Sequence, residues 1–472
     1  MKVPLPTGAY EARSVIASAQ RCANLYSEKN PQDEEFPFTY YPTPGTTLVG
    51  TAASNVWRGL YASTDGRLFG VVGQSFVIIS GTTSLSISIL GAIDSTVEQC
   101  YMLDNGTDLV LVDGTAAGYK LNLATLVFSK IVNDAFYGSN GVTLVDGFLI
   151  FNRPDTRQWY ISLINQVSFD PLDFASKSGS PDLLVAARAT RRNVFLFGEQ
   201  TTEIWTNTGG NAFPFSRLSG AFIQFGCASS ASIMEADGSL YWLSKSPQGE
   251  CMVLRNANYE RERISTFAIE NEFQRYARID DATAYIHQLG GHYWYVLTFP
   301  TANKTWVYDL STSQWHERFY LNEDGSESRE RANCYAFWNG RHIVGDYQNG
   351  NLYEQSLDVY TDNGNEIRRI RSFPHLADSG NRVHYKEFKA AMQVGDAIYT
   401  QNAEIRLRWS DTKGATWSTY LSSTMGARGD YLRDVRFLRL GMARSRVFEL
   451  SWNAACPTAL NGAYINVQPC AS

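Results

Sequence analysis

The chain has six histidines, His287, His292, His316, His342, His375 and His384, the side chains best suited to metal ligation or proton transfer. None belongs to an H-E-x-x-H pair, and no cysteine stands at metal-site spacing from them, so they read as structural residues on strands. The carboxylate pair Asp280-Asp281 follows a helical stretch and is expected to cap or solvate a turn. Asp362-Asn-Gly-Asn-Glu366 starts like a calcium loop but lacks the twelve-residue ligand pattern, so it also reads as a turn.

The common nucleophile and nucleotide signatures, G-x-S-x-G, the P-loop and G-x-G-x-x-G, are missing. Ser410-Asp-Thr-Lys-Gly-Ala-Thr-Trp417 is similar to the Asp-box of sialidase-type propellers, S-x-D-x-G-x-T-W. Here Thr412 holds the Asp place and Asp411 stands one position early, and in that family the box stabilises a turn without catalysing. A glycoside hydrolase would need two carboxylates roughly 5–10 Å apart across a sugar site, a distance that no sequence displays. A glycan-binding or sialidase-like propeller used in receptor recognition is therefore the alternative reading, and a cellular protein-interaction propeller is a third. No catalytic, cofactor-binding or metal-binding residue is assigned, and no cofactor is expected.

The elements that would hold such residues are β-rich. Charged residues make up 19% of the 472 positions and aromatics 13%, a balance that favours a packed core over disorder. The net charge of −6 divides unevenly: residues 1–360 carry 26 Lys+Arg against 37 Asp+Glu, a balance of −11, and residues 361–472 carry 15 against 10, a balance of +5. The asymmetry supports a boundary near residue 360 and makes the C-terminal part the better candidate for an acidic partner. The seven cysteines form no C-x-x-C pair and read as buried thiols. Met1-Lys-Val-Pro-Leu-Pro lacks the apolar core of a signal peptide, and the most apolar stretch, Phe76–Ile93, is broken by Ser, Thr and Gly, so neither export by that route nor a membrane-spanning segment is expected.

Turn dipeptides followed by short apolar strands recur seven times, at Asp65-Gly66, Asn105-Gly106, Asp146-Gly147, Arg192-Asn193, Asp237-Gly238, Gly290-Gly291 and Asn339-Gly340. The intervals run from 40 to 53 residues, the length of a four-stranded propeller blade. This predicts an all-β chain with a β-propeller of about seven blades, six being the alternative, over residues 51–365. A short helix is expected within Ser265–Arg278, where Ile269, Phe273 and Tyr276 fall on one stripe and Ser265 or Thr266 can cap it. Its apolar stripe is expected to pack on the propeller.

Beyond residue 370 longer alternating strands begin, including Glu404-Ile-Arg-Leu-Arg-Trp, Val435-Arg-Phe-Leu-Arg-Leu and Val447-Phe-Glu-Leu-Ser-Trp. Arg406, Arg408, Arg436 and Arg439 put a cationic face opposite an apolar one, which suits a β-sandwich or barrel over 370–472. Residues 1–50, with Pro31, Pro37, Pro42 and Pro44, read as an extended arm able to add a strand elsewhere. Removing residues 1–45 is expected to impair assembly more than propeller folding.

The stretch from Gly291-His-Tyr-Trp-Tyr-Val-Leu-Thr-Phe through Lys304-Thr-Trp-Val-Tyr-Asp-Leu to Gln314-Trp-His-Glu-Arg318 closely resembles a blade of the packaged-DNA stabilisation proteins, or tail hub (nozzle) proteins, of short-tailed (podovirus) bacteriophages. Arg13-Ser, Gln20-Arg-Cys-Ala-Asn-Leu-Tyr-Ser-Glu28 and Pro42-Thr-Pro-Gly45 are similar to that family's N-terminal arm, and Leu440-Gly-Met-Ala-Arg-Ser-Arg-Val-Phe-Glu-Leu-Ser-Trp452 to its C-terminal part. The resemblance implies a non-enzymatic structural protein of the virion tail, assembled in the host bacterial cytoplasm. It implies a homo-oligomer, a hexameric hub below the head-to-tail adaptor protein that retains packaged DNA and forms part of the ejection channel. A tail needle or plug, a tailspike or tail fibre, and transient non-specific contact with genomic DNA are the further partners it implies. The region after residue 370 is expected to build the ring.

Overall fold

The computed structural model describes residues 2–5, 20–30, 35–53, 55–96, 99–210, 212–246, 248–378, 380–396 and 403–470. Arg13, Ser14 and Pro31 lie outside these residues. The chain is a seven-bladed β-propeller joined to a β-sandwich. Six blades follow one another along the chain, at 57–92, 101–130, 142–176, 184–223, 234–263 and 283–321, each an antiparallel run of four strands. The seventh takes three strands from 332–356 and its fourth, Gly45–Thr51, from near the beginning of the chain, in the register Ser356↔Gly45 to Asn351↔Thr51. That pairing closes the ring by tying together the two ends of the propeller.

Each of the seven turns joins the first strand of a blade to its second. At Asp146-Gly147, Asp237-Gly238, Gly290-Gly291 and Asn339-Gly340 both residues have positive φ, the mirror-image turn whose twist matches a hairpin. In the fourth blade the turn lies one residue earlier than expected, on Arg191 (φ 47°) and Arg192 (φ 65°), and Asn193 already begins the next strand. Second strands such as Leu68–Val72 are buried on both faces because each lies between two neighbouring blades. Continuous apolar runs are the result, and Trp57, Leu68 and Val77 of the first blade share one core with Trp338, Ile343 and Leu352 of the seventh.

The helix is shorter than its periodicity suggests, Phe267–Phe273, with the N-cap at Thr266. Beyond it the Arg275 and Tyr276 amides bond to carbonyls three residues back, at Glu272 and Phe273, tightening the chain out of the α-helix. Thr266 makes no side-chain cap; Ser265 Oγ donates instead to Glu270 at 2.5 Å. Ile269, Phe273 and Tyr276 pack on the fifth and sixth blades, and Tyr276 accepts a hydrogen bond from Trp306 at 3.0 Å.

The sandwich draws on both chain ends. One sheet orders Leu25–Lys29, Phe38–Pro42, Leu460–Pro469, Val383–Met392 and Val435–Leu438, with Lys2–Pro4 added on Leu460–Pro469. The other contains Arg369–Ser372, Ser445–Trp452, Glu404–Ser410 and Leu421–Thr424. Along Glu404–Ser410 the expected alternation is present, Ile405 and Leu407 facing the core and Arg406 facing solvent. Ser445–Trp452 is a central strand covered on both faces, so Arg446 and Glu449 are buried there.

Candidate functional site

Two places concentrate polar chemistry: the junction of the two lobes and the axis of the propeller. At the junction, Cys22–Ala23 pairs in parallel with the outer strand of the sixth blade, at Ala23↔Glu317, and antiparallel with Arg369–Ser372, at Ala23↔Ile370. One sheet of eleven strands therefore runs from the propeller into the sandwich. Asn24, at φ 54°, pins this crossing. Its Nδ2 donates to the Phe319 and Arg368 carbonyls at 3.1 and 2.8 Å, and its Oδ1 accepts the Phe319 amide at 3.0 Å. The backbone strain of that conformation is least costly for Asn among side-chain-bearing residues.

Charge reinforces the crossing. The buried Glu317 carboxylate takes Arg21 Nε and Lys304 Nζ, each at 2.8 Å, and Arg21 also reaches Glu327 at 2.6 Å. Burial alone would raise the Glu317 pKa, but Arg21 and Lys304 hold it below the usual carboxylate range. Beside this a small cavity of about 30 Å³ is lined by Asn24, Thr46, Arg318, Glu330, Gln355 and Asp362. Burial, followed by the nearby charge of Glu330, pushes the Asp362 carboxyl up to about 7. A Cβ on Gly45 would collide with the Val359 carbonyl, which is why the arm can pass so close here.

The propeller axis opens into a cavity of about 480 Å³ on the face where the inner strands begin, lined by Arg58, Tyr101, Asn140, Ser230, Asp281 and Arg329 among others. Its charges are mixed in sign. The Arg188 guanidinium stacks over Tyr101 at 4.9 Å, and any Cβ on Gly141 would strike it, so these two side chains occupy the axis.

The histidines are dispersed through the sixth and seventh blades and the sandwich, and among the described residues no three His, Cys, Asp or Glu side chains converge as a metal site. His287 and His342 lie 4.8 Å apart, and burial holds His287 well below the usual imidazole range. His292 bonds Asp309 at 2.6 Å; burial opposes protonation, and the carboxylates of Asp309 and Glu28 together outweigh it and raise the pKa. His316 is buried in the sixth blade, and His384 lies on the sandwich strand Val383–Met392. Asp280 pairs with Arg278 at 2.7 Å, and Asp281 accepts the Thr301 amide at 2.7 Å, in the turn expected of them.

Asn363 (φ 48°) and Gly364 (φ 86°) form the tip of a hairpin in which Asp362 and Asn365 pair. In the Asp-box-like loop Ser410 Oγ accepts the Gly414 amide at 2.8 Å and Thr412 Oγ1 accepts the Thr416 amide at 2.8 Å. Thr412 thus supplies a side-chain acceptor at the position where the box has Asp, and Asp411 holds the buried Arg446 through two contacts of 2.6 and 2.7 Å. All seven cysteines are free, and burial pushes the Cys100 and Cys227 thiols up to about 12. Arg21, Asn24 and Glu317 lie within the two family-like segments, but their pairing left no local signal, because the partners are nearly 300 residues apart.

No curated protein matches this chain. Among solved structures it is similar to the WD40 propeller of Doa1 (11% identity, TM-score 0.43, 66% of this chain and 97% of that one) and to the Neurospora crassa Pan2 WD40 domain (10%, 0.43, 66% and 94%). The N-terminal domain of Nup159 is similar at 9% identity and TM-score 0.43, over 71% of this chain and 98% of that one. Two family models match in tandem, the bacteriophage P22 Gp10 β-propeller over residues 1–360 and the bacteriophage P22 Gp10 β-sandwich over residues 368–468. The boundary between them lies between the last strand of the seventh blade, ending at Ser356, and the sandwich strand that begins at Arg369, and with nearly the whole length accounted for, this chain is a member of the bacteriophage P22 Gp10 family of phage structural proteins that stabilise packaged DNA.

Proposed function

We propose that the chain forms a ring, a hexamer, below the head-to-tail adaptor protein of a phage tail, where it retains the packaged genome and lines part of the ejection channel. The observation that carries this reading is the tandem family match over both lobes. The propeller axis supports it from another side. Tyr101 and Arg188 meet across that axis, their stacked side chains standing where a strand of DNA would have to pass. This favours a DNA conduit that runs between copies of the chain around a shared axis. The acidic balance of residues 1–360 suits such a conduit, because tight phosphate binding would slow ejection.

A tail needle or plug and a tailspike or fibre are proposed as partners of the assembled ring, and contact with DNA as transient and non-specific. The role proposed is structural, with no turnover. Particles assembled without this chain should package DNA and then lose it, and a reconstruction of the intact tail should place its density as a ring against the adaptor. Particles that keep their DNA in its absence would overturn the reading.

A further inference from the structure

Two sheet edges stand out from the rest of the surface, and they are opposite in charge. The first is the outer edge of the third blade, the strand Phe174–Ser176, which among the described residues has a strand partner on one side only. Around it Leu172 is 78% exposed, Ile164 54% and Phe174 43%. The same edge carries Asp170 and Asp173, neither in a salt bridge among the described residues. Burial and then the charge of Asp170 raise the Asp173 pKa, as expected of two acids with no cation between them.

The second edge is the sandwich strand Val435–Leu438, at the end of its sheet and paired, among the described residues, only with Val383–Met392. Leu438 is 58% exposed, and the loop before it presents Tyr431 and Leu432, the latter 96% exposed. Four arginines, Arg428, Arg433, Arg436 and Arg439, surround them against three acids, Asp430, Asp434 and Glu387. Arg433 and Arg436 pair with those acids, whereas Arg428 and Arg439 are exposed and have no carboxylate partner among the described residues.

Topology places these edges at opposite ends of one chain. The sandwich is tied to the sixth blade through Cys22–Ala23, and its strand Phe38–Pro42 runs directly on into Gly45–Thr51 of the seventh. In a ring of seven the third blade lies three blades from either, so it faces away from the chain's own sandwich. Exposed apolar side chains rimmed by charge, on strands with unpaired backbone, mark surfaces that associate. The complementary surface present here is on another copy.

We propose that the sandwich edge Val435–Leu438 of one copy docks on the third-blade edge Phe174–Ser176 of a second copy, head to tail. Leu432 and Leu438 would meet Leu172 and Phe174, with Arg428 and Arg439 against Asp170 and Asp173. Such a contact joins two different surfaces, so it propagates from copy to copy and closes where the rotation allows. The proposal rests on the ring-forming reading above and names the surfaces that make the ring.

Sedimentation of the purified full-length chain across a concentration series tests it. The wild type should associate, and less so at about 1 M salt, where screening falls to about 3 Å. The double variants Leu172→Asp/Phe174→Asp and Leu432→Asp/Leu438→Asp should each remain monomeric with an unchanged circular dichroism spectrum. Mixed together, they should form dimers and nothing larger, because each supplies the one edge the other lacks; that recovery also shows that both are folded. A wild type that assembles while either variant assembles equally well, or a mixture that stays monomeric, overturns this contact and leaves the ring reading standing. A wild type that stays monomeric at every concentration overturns both.

Discussion

The two lobes are built from the same element, the antiparallel strand, in opposite ways. In the propeller, strand follows strand and six of the seven blades are closed by neighbours in sequence, so each hairpin costs little loop entropy. In the sandwich a single sheet pairs Lys2–Pro4 and Phe38–Pro42 with Leu460–Pro469, contacts spanning more than 400 residues. The propeller therefore has the means to form locally as the chain is made, whereas the sandwich has to wait for both ends. The crossing at Asn24 then makes one continuous sheet of them.

Deletions should separate the lobes most strongly. Removing residues 1–44 takes the strands Lys2–Pro4, Cys22–Ala23, Leu25–Lys29 and Phe38–Pro42 from the sandwich and leaves all seven blades complete. Limited proteolysis should then cut the region beyond residue 370 while the propeller resists. Extending the deletion through Thr51 also opens the seventh blade, and the propeller should lose its protection. Equal resistance of both truncations would break the comparison.

Within the propeller, Trp57→Ala empties a fully buried site shared by the first and seventh blades and should cost about 3–5 kcal/mol, measured by denaturant unfolding. At the crossing, Asn24→Ala removes three hydrogen bonds and puts alanine at positive φ, for a loss of about 2 kcal/mol or more. Its sharper signature is calorimetric. One unfolding transition in the wild type should become two in the variant, because the propeller and sandwich no longer melt together. A single unchanged transition would mean that other contacts couple the lobes.

The smallest effect is a pH dependence beside the same crossing. The Asp362 carboxyl titrates at about 7 in the folded chain against an ordinary 3.8, so the folded state binds the extra proton. Its contribution to stability is complete below pH about 4, is lost as pH rises through 7, and stays lost above. Asp362→Asn should therefore melt close to the wild type at pH 4 and above it at pH 8. A melting difference that does not change with pH would place the sensitivity elsewhere.

Much of the propeller was legible because its rules are local. Asp-Gly and Asn-Gly turns and doubly buried second strands recur at blade length, and only the Arg191-Arg192 turn was displaced, because neither arginine is a residue that ordinarily favours positive φ. The alternation in Glu404–Ser410 was legible for the same reason. The helix over-ran its true length because the stripe of Ile269, Phe273 and Tyr276 is met equally by one short helix and a tight turn. That the arm adds a strand was legible, but its partners were not: Arg21 and Glu317 are ordinary surface residue types, and only folding brings them to 2.8 Å.

By itself, then, the amino-acid order determined a blade and its repetition, since turn chemistry and strand burial act within about fifty residues. Tertiary structure decided how the repetition closes, through Gly45–Thr51, and how it joins the sandwich, through Cys22–Ala23. It also decided which edges stay open. Pairing between distant strands uses backbone groups that every residue carries, so it leaves little trace in composition or spacing.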